Sequence, residues 1–164
     1  MYQRCYNLNT IGLRYFNVFG PRQDPKGAYP AVIPLWVASM LKGEHITING
    51  DGTTSRDFCY IENVIQANIL AAVTTNEAAL NQVYNVACGD QNTLNDLFNL
   101  IKLALATNDI DYSGEPIYGE FRKGDVHHSK ASIEKARTLL GYEPHYDLIK
   151  GLGESIKWYV SDLL

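Results

Sequence analysis

Three short polar segments of this 164-residue chain carry side chains that could hold an anion. Asn17 lies near the carboxyl end of an apolar run, where open α/β sheets place their ligands, and its amide can donate to an anionic oxygen. Arg56 follows a glycine-rich turn and presents a planar guanidinium that suits phosphate. Arg122 and Asp125 flank Gly124, so a cation for phosphate and a carboxylate for sugar hydroxyls can project from one close turn.

Each of these segments also has a purely structural interpretation. Asn17 can be a buried amide that satisfies neighbouring backbone groups. Arg56, for which the phosphate interpretation has Asp57 orienting the strand, can instead form a plain salt bridge, and residues 121–129 can be a solvated charged loop. Taken one at a time, the residue types leave both interpretations open.

Composition excludes several classes of partner and site. The chain is 46% hydrophobic with a net charge of −4, and no basic run is longer than Arg122–Lys123, so we expect no nucleic acid and no membrane as partner. No apolar run approaches the roughly 20 residues that span a bilayer, and we predict a cytoplasmic location. Three widely spaced cysteines fit neither a disulfide framework nor a metal knuckle. His127 and His128 would point to opposite faces of an extended segment, so we expect no metal site.

The elements that would position these side chains alternate between strand and helix. Residues Thr10–Phe19 are almost continuously apolar, as is typical of a strand covered on both faces in a parallel sheet. We predict a helix over Pro34–Lys42, closed by Gly43, and strands at His45–Ile48 and Val83–Val86. This alternation indicates an α/β fold.

Further helices are predicted from caps and apolar stripes. One begins near Glu62, a second follows the capping box of Thr93 with Asp96, a third follows Ser132 as its cap, and the last spans about Leu148–Val160. The stripe of the first of these consists of Val64, Ile65, Asn68, Ile69 and Ala72.

The sequence does not contain a dinucleotide fingerprint of its own. No turn of the form GxGxxG or GxxGxxG follows a predicted strand. The apolar strand over residues 10–19 also lies so close to the first residue that its backbone edges would be unpaired unless other polypeptide covered them. We therefore interpret the chain as a piece of a larger α/β unit.

Long motifs of the chain resemble the C-terminal half of the NAD-dependent epimerase/dehydratase family, the extended short-chain dehydrogenases. They occur in family order from about Ile11 to Tyr159, and the similarity is greatest to bacterial UDP-N-acetylglucosamine 4-epimerases. The matching segments are LRYFNVFGPRQDPKGAYPAVIP, INGDGTTSRDFCYIENV, YNVACGD, FRKGDVHHSKASIEKARTLLGYEP and GLGESIKWYV. One departure is Leu35, where the most similar members often have a basic residue.

The resemblance implies roles for particular residues. Asn17, Arg56 and Arg122 would hold the UDP pyrophosphate, and Asp125 would accept hydrogen bonds from the ribose hydroxyls. A small residue at Ser129 would leave room for an N-acetyl group on the sugar. The stretches along uracil and ribose would include Ala31, Val32, Ile48 and Asn49, and the residues passing the nicotinamide of NAD would be Tyr15 and Val18.

The resemblance also implies a fold and a division of labour. Residues 1–28 would be the last part of a Rossmann-type doubly wound sheet. Residues 29–164 would form a small α/β substrate-binding subdomain, interleaved with strands and helices that return to the Rossmann-type sheet at about residues 61–88. The family's catalytic Tyr-x-x-x-Lys pair would precede Met1, so we assign no catalytic residue here. NAD would be bound mainly by that preceding half, and the isolated chain would be inactive.

We therefore expect a C4 epimerase of UDP-N-acetylglucosamine and UDP-N-acetylgalactosamine that supplies surface polysaccharide precursors and is a homodimer when full length. One alternative is another family member that modifies UDP-sugars, such as a decarboxylase, a dehydratase or a uronate epimerase. A second is a fragment that binds UDP-sugars without transforming them.

Overall fold

The computed structural model describes residues 2–27 and 31–163. Strands and helices alternate along the chain, which confirms the α/β prediction. The helices are α1 (Tyr2–Tyr6), α2 (Val32–Leu41), α3 (Ile61–Val73), α4 (Leu94–Ala106), α5 (Glu134–Leu140) and α6 (Leu148–Leu163). The strands are β1 (Ile11–Tyr15), β2 (Val18–Phe19), β3 (Thr47–Asn49), β4 (Ser55–Arg56), β5 (Cys59–Tyr60), β6 (Gln82–Val86), β7 (Asn92–Thr93) and β8 (Ile117–Gly119). The predicted boundary between residues 28 and 29 lies outside the described residues.

The strands pair two by two across the described part of the chain. β1 pairs in parallel with β6, in a register that runs from Ile11 opposite Gln82 to Tyr15 opposite Val86. β2 pairs in parallel with β5 and β3 with β8, whereas β4 and β7 are antiparallel. Parallel strands need crossover connections, and α3 lies in the connection between β1 and β6.

The predicted strand over residues 10–19 is two strands, because the backbone turns at Asn17. Asn17 has a φ of 32°, a left-handed conformation that asparagine tolerates better than other side chains. Its Nδ2 donates to the carbonyl of Asp57 at 3.0 Å, and the amide of Cys59 donates to the carbonyl of Asn17 at 3.2 Å. Tyr15 at the end of β1 is half exposed rather than covered on both faces, since within the described residues β1 pairs with β6 alone.

Two apolar cores hold these elements together. The larger lies where α2, α4 and α6 pack on one another, and its fully buried members include Val37, Ile48, Leu97, Ile101 and Leu152. The second surrounds β6 and α5 and includes Cys59, Tyr84, Val86 and Tyr142. Among the described helices, none is long and apolar enough to cross a membrane.

Local signals predicted several helix ends correctly. Thr93 Oγ1 accepts from the amide of Asp96 at 3.0 Å, and the Asp96 carboxylate accepts from the amide of Thr93 at 3.0 Å, which confirms the capping box. Gly43 and Gly141 both adopt positive φ where α2 and α5 end. The prediction of Ser132 as a cap is wrong. The residue that caps helix α5 is Ile133, because its carbonyl accepts the first helical hydrogen bond, from the amide of Arg137, and no side chain caps the helix.

The predicted stripe of α3 is only partly buried. Val64 and Ala67 pack in the second core, whereas Ile65, Ile69 and Val73 are exposed. The helix therefore has an apolar face that the described residues do not cover.

Candidate functional site

The candidate site is built around β4, which has a neighbour on each side. On one side β4 pairs antiparallel with β7, with Arg56 opposite Asn92. On the other side lie residues 121–129, which we call the strap. The amide of Ser55 donates to the carbonyl of His127 at 2.8 Å, and the amide of Ser129 donates to the carbonyl of Ser55 at 3.1 Å. The strap is thus joined to β4 by backbone hydrogen bonds.

Arg56 and Asp125, predicted from distant segments, lie in contact. Arg56 Nη2 donates to Asp125 Oδ1 at 2.5 Å, and Arg56 Nη1 donates to the carbonyls of Ser55 at 2.8 Å and His127 at 3.4 Å. The Arg56 side chain is 17% exposed and the Asp125 side chain 43% exposed. Because a guanidinium has five N–H groups, two of them stay unused by described residues and can meet an anion. Asp125 Oδ2 can likewise accept from a hydroxyl.

A side-chain relay fixes the strap at its carboxyl end. Gln91 Nε2 donates to Ser55 Oγ at 2.6 Å, and Ser55 Oγ lies 2.9 Å from His128 Nδ1. Ser55 is almost fully buried. A hydroxyl that accepts from Gln91 still has its own proton to donate, so His128 Nδ1 can accept it. The relay and the backbone bonds together place Asp125 beside Arg56.

Asp57 stabilises the site by binding backbone amides and does not face a ligand. Its buried carboxylate accepts hydrogen bonds from three backbone amides, of Cys88 at 2.9 Å, Gly89 at 3.1 Å and Ala131 at 3.2 Å. Burial raises the pKa of Asp57, and these hydrogen bonds oppose that effect. The carboxylate thereby ties β6 and the segment before α5 to the residue next to Arg56.

Four predicted residues line one small cavity of about 120 Å³. They are Asn17, Val18, Ala31 and Val32, and the remaining lining residues are Phe19, Ile33 and Phe58. Asn17 is exposed. Its side chain donates to the carbonyl of Asp57, the residue that follows Arg56, so Asn17 lies close to Arg56. The cavity and the Arg56–Asp125 pair are therefore parts of one region.

Other predicted residues are placed differently. Tyr15 Oη donates to Asn68 Oδ1 at 3.0 Å, so this side chain is directed toward α3 and away from the small cavity. Ile48 is fully buried within β3, whereas Asn49 is exposed. Arg122 is exposed and makes no ion pair with any described residue.

Ser129 is half buried beside β4, where its amide bonds to Ser55. Its hydroxyl is thus carried by the same strap as Asp125. Across residues 2–27 and 31–163, no group of three or more His, Cys, Asp or Glu side chains is arranged to hold a metal ion.

Comparison with known proteins places this geometry in a family. Residues 1–87, more than half of the chain, match the family described as "NAD dependent epimerase/dehydratase family". The chain belongs to this epimerase/dehydratase family. Its strand and helix order is that of the Rossmann-like epimerases with solved structures, which confirms the predicted fold class.

Individual family members are similar over nearly the whole chain. The UDP-glucose 4-epimerase of Thermotoga maritima, solved with UDP-glucose, is 38% identical with a TM-score of 0.90, covering 99% of this chain and 50% of that one. The UDP-N-acetylglucosamine 4-epimerase of Methanobrevibacter ruminantium, solved with UDP-N-acetylmuramic acid, is 41% identical with a TM-score of 0.84, covering 98% of this chain and 49% of that one.

The UDP-glucose 4-epimerase of Mycolicibacterium smegmatis is 30% identical over 159 residues, covering 97% of this chain and 48% of that protein. The chain spans about half the length of the curated relatives it matches.

The residues that hold Arg56 and Asp125 in place carry little signal in the sequence. Ser55, Gln91 and His128 were not singled out as a group, because their contacts join segments 36 and 73 residues apart. From the sequence, His127 and His128 suggested only a metal site, and the expectation was that they form none. The one available signal was the position of Ser55 directly before Arg56, since neighbouring residues on a strand face opposite sides and one of them must be buried here.

Proposed function

We propose that this chain is the substrate-binding part of an NAD-dependent enzyme that interconverts UDP-N-acetylglucosamine and UDP-N-acetylgalactosamine by inversion at C4. Its product would serve the synthesis of surface polysaccharide precursors. The observation that carries the proposal is the Arg56–Asp125 pair, which is held by β4 and the strap next to Asn17. In this family a cation, an amide and a carboxylate in one region suit the diphosphate and ribose of a nucleotide sugar.

The proposal assigns separate tasks to these side chains. Arg56, Asn17 and Arg122 would bind the diphosphate, and Asp125 Oδ2 would accept from the ribose hydroxyls. Holding the part of the substrate that does not react leaves the hexose free to turn, so that either face of C4 can be presented to the same reacting groups. These residues act by binding and orientation, and none of them is assigned a bond-making role.

The described residues of this chain could contact only part of an NAD molecule. The cavity beside Val18 is small and mostly apolar, as suits one planar ring, and the described residues include no glycine-rich turn for a dinucleotide phosphate. Val18 would therefore lie along the nicotinamide, Tyr15 would stay bonded to Asn68 outside this cavity, and other parts of the whole protein would bind the remainder. When bound, NAD would supply a hydride acceptor for C4 that later returns the hydride.

Ser129 supports an N-acetylated substrate within this proposal. Its small side chain is carried by the same strap as Asp125, so it would lie on the sugar side of the nucleotide contacts. The Methanobrevibacter ruminantium relative is a UDP-N-acetylglucosamine 4-epimerase, which agrees with this choice. Turnover of UDP-glucose without turnover of the acetylated sugar would overturn it.

Binding of UDP to this chain is the first test, measured by isothermal titration calorimetry. We expect Arg56→Ala to weaken binding by about 10- to 150-fold, because a hydrogen bond to a charged group contributes about 1.5–3 kcal/mol. Arg56→Lys should recover only part of the affinity, since lysine keeps the charge but not the planar fork. Arg14→Ala, an exposed arginine on β1, is the matched control and should bind as the unchanged chain does.

Catalysis is tested by joining the amino-terminal half of the Thermotoga maritima enzyme ahead of Met1. We expect the chimera to interconvert UDP-N-acetylglucosamine and UDP-N-acetylgalactosamine. Chromatography of the sugar nucleotides measures this conversion. A chimera that binds both NAD and UDP yet converts no UDP-sugar would contradict the proposed activity.

A further inference from the structure

Two of the three cysteines lie together in the fold, although they are far apart in the sequence. Cys59 is the first residue of β5, and Cys88 lies two residues after the end of β6. Both are free thiols, and their sulfurs are in hydrogen-bond contact with each other. We call these two residues the thiol pair. Cys59 is fully buried and Cys88 is half-buried, whereas the third cysteine, Cys5, is exposed.

Backbone and side-chain contacts hold the two segments of the thiol pair against each other. Residues two apart on an extended segment face the same side, so Asp57 and Cys59 both face the residues that follow β6. The Asp57 carboxylate accepts from the amide of Cys88 at 2.9 Å. Tyr142 Oη donates to the carbonyl of Ala87 at 2.8 Å and lies 3.8 Å from Cys59 Sγ. The contact between the sulfurs is therefore fixed by the packing around it.

The sulfur of Cys88 is also restrained from the side of α3. Asn63 Nδ2 lies 3.6 Å from Cys88 Sγ and donates to the carbonyl of Tyr146 at 2.7 Å. Cys88 Sγ in turn donates to the same carbonyl at 3.4 Å. Contact with the Cys88 S–H lowers the pKa of Cys59, and contact with Cys59 raises the pKa of Cys88, because one proton is then shared between two sulfurs. The thiol pair thus loses its first proton more readily than an ordinary cysteine, and the thiolate is the nucleophile in disulfide chemistry.

Cys88 can be reached from solvent through a pocket of about 480 Å³. Lys130 and Arg137 line this pocket together with Cys88. Arg137 is paired with Glu134 and with Glu143, whereas Lys130 is exposed and makes no ion pair with any described residue. A small molecule that carries carboxylates would therefore find a cation beside the Cys88 sulfur.

We propose that Cys59 and Cys88 form a reversible disulfide by exchange with a small anionic disulfide that enters through this pocket. The Cys88 thiolate attacks one sulfur of the small disulfide, a mixed disulfide forms, and a small thiolate leaves. Cys59, after giving its proton to water, attacks the Cys88 sulfur, and the second small thiol is released. The thiol pair is oxidised by two electrons, and the small disulfide is reduced to two thiols. The inference does not depend on the proposed function, because no nucleotide takes part.

The disulfide would make a hydrogen-bonded anchor of the candidate site covalent. It would join the segment that carries Asp57 to the residues after β6, which the Asp57 carboxylate joins in the reduced chain. The loop that it closes, about 30 residues long, contains α3 and β6, and closing such a loop restricts the unfolded chain. We expect oxidation to raise Tm by about 5–15 °C.

The test uses the full chain with Cys5→Ser, so that the thiol pair supplies every remaining thiol. The folded chain is incubated with oxidised glutathione, free thiols are alkylated, and peptides are identified by mass spectrometry. We expect a linked Cys59–Cys88 peptide and loss of both free thiols, reversed by dithiothreitol. Adding Cys59→Ser should leave a glutathione adduct on Cys88, whereas adding Cys88→Ser, the matched variant, should leave the buried Cys59 unmodified.

The linkage is measured on a chain with both thiols, so it does not depend on how either serine variant folds. Two thiols that stay free would overturn the proposal. A glutathione adduct that persists on Cys88 while Cys59 is present would also overturn it, because the pair would then not close. A link that forms only in urea would assign the reaction to the unfolded chain, and an unchanged Tm after oxidation would refute the covalent anchor.

Discussion

Replacement of Asp57 by asparagine tests whether the buried carboxylate holds the site together. Asp57 Oδ1 accepts from the amide of Cys88, and Asp57 Oδ2 accepts from the amides of Gly89 and Ala131. Asparagine has nearly the same shape, but its amide nitrogen cannot accept a hydrogen bond. Whichever way the new side chain turns, its nitrogen faces at least one backbone N–H, so that two donors oppose each other.

The expected magnitude follows from the number of groups left unsatisfied. A buried donor without an acceptor costs about 1–3 kcal/mol, and here both the backbone amide and the new side-chain amide lose a partner. Part of this loss is offset because a buried charge is removed, the same burial that raises the pKa of Asp57. We expect Asp57→Asn to lower the free energy of unfolding by about 2–4 kcal/mol.

Urea unfolding at neutral pH, followed by circular dichroism, measures this free energy. Asp111→Asn is the matched control, since Asp111 is exposed and makes no hydrogen bond with any described residue, and it should change stability by less than about 0.5 kcal/mol. A loss below about 1 kcal/mol for Asp57→Asn would refute the argument that the three amides depend on this carboxylate.

Two further predictions concern α6. Gly151→Ala should destabilise the chain by about 1–3 kcal/mol, because the new Cβ would lie 2.7 Å from Phe19 Cζ, whereas Gly153→Ala meets nothing within 4 Å and should stabilise by up to about 1 kcal/mol. Thermal unfolding of the pair checks both, and equal effects would contradict the close packing. Burial raises the pKa of Tyr159 to about 12, so the stability that its neutral hydroxyl contributes is present below pH 10 and is lost as pH rises through 12. Phenylalanine cannot ionise, so the difference in unfolding free energy between the unchanged chain and Tyr159→Phe, measured by urea unfolding, should shrink from pH 10 to pH 12. A difference that stays constant would contradict the raised pKa of Tyr159.

Features that depend on neighbours in sequence were predictable. The Thr93 capping box and the glycines that end α2 and α5 require only a few adjacent residues, and the structure confirms them. Ser132 had the right residue type for a cap, but the first helical hydrogen bond is accepted one residue later, by the carbonyl of Ile133. The turn at Asn17 was missed because the hydrogen bond that favours it is donated by Asn17 Nδ2 to the carbonyl of Asp57, 40 residues away.

In the candidate site, too, the sequence identified the residue types but not the contacts between them. Arg56, Arg122 and Asp125 were identified because their side chains suit phosphate and hydroxyls. That Arg56 meets Asp125 depends on the pairing of β4 with the strap, and no periodicity in the sequence encodes a parallel bridge between Ser55 and His128. Tertiary pairing of this kind is set by the whole core rather than by local propensity.

The Arg56–Asp125 pair is better explained by ligand binding than by stability. With Asp125 43% exposed, the pair belongs to the class of ion pairs that contribute about 0–1 kcal/mol. The relay from Gln91 through Ser55 to His128 and the backbone bonds of the strap already join the two segments without it. What the pair adds is orientation, because Asp125 fixes the plane of the guanidinium while leaving N–H groups free. Loss of UDP affinity in Arg56→Ala with unchanged unfolding is therefore the pattern expected of an anion site, and a large loss of stability would mark the pair as structural.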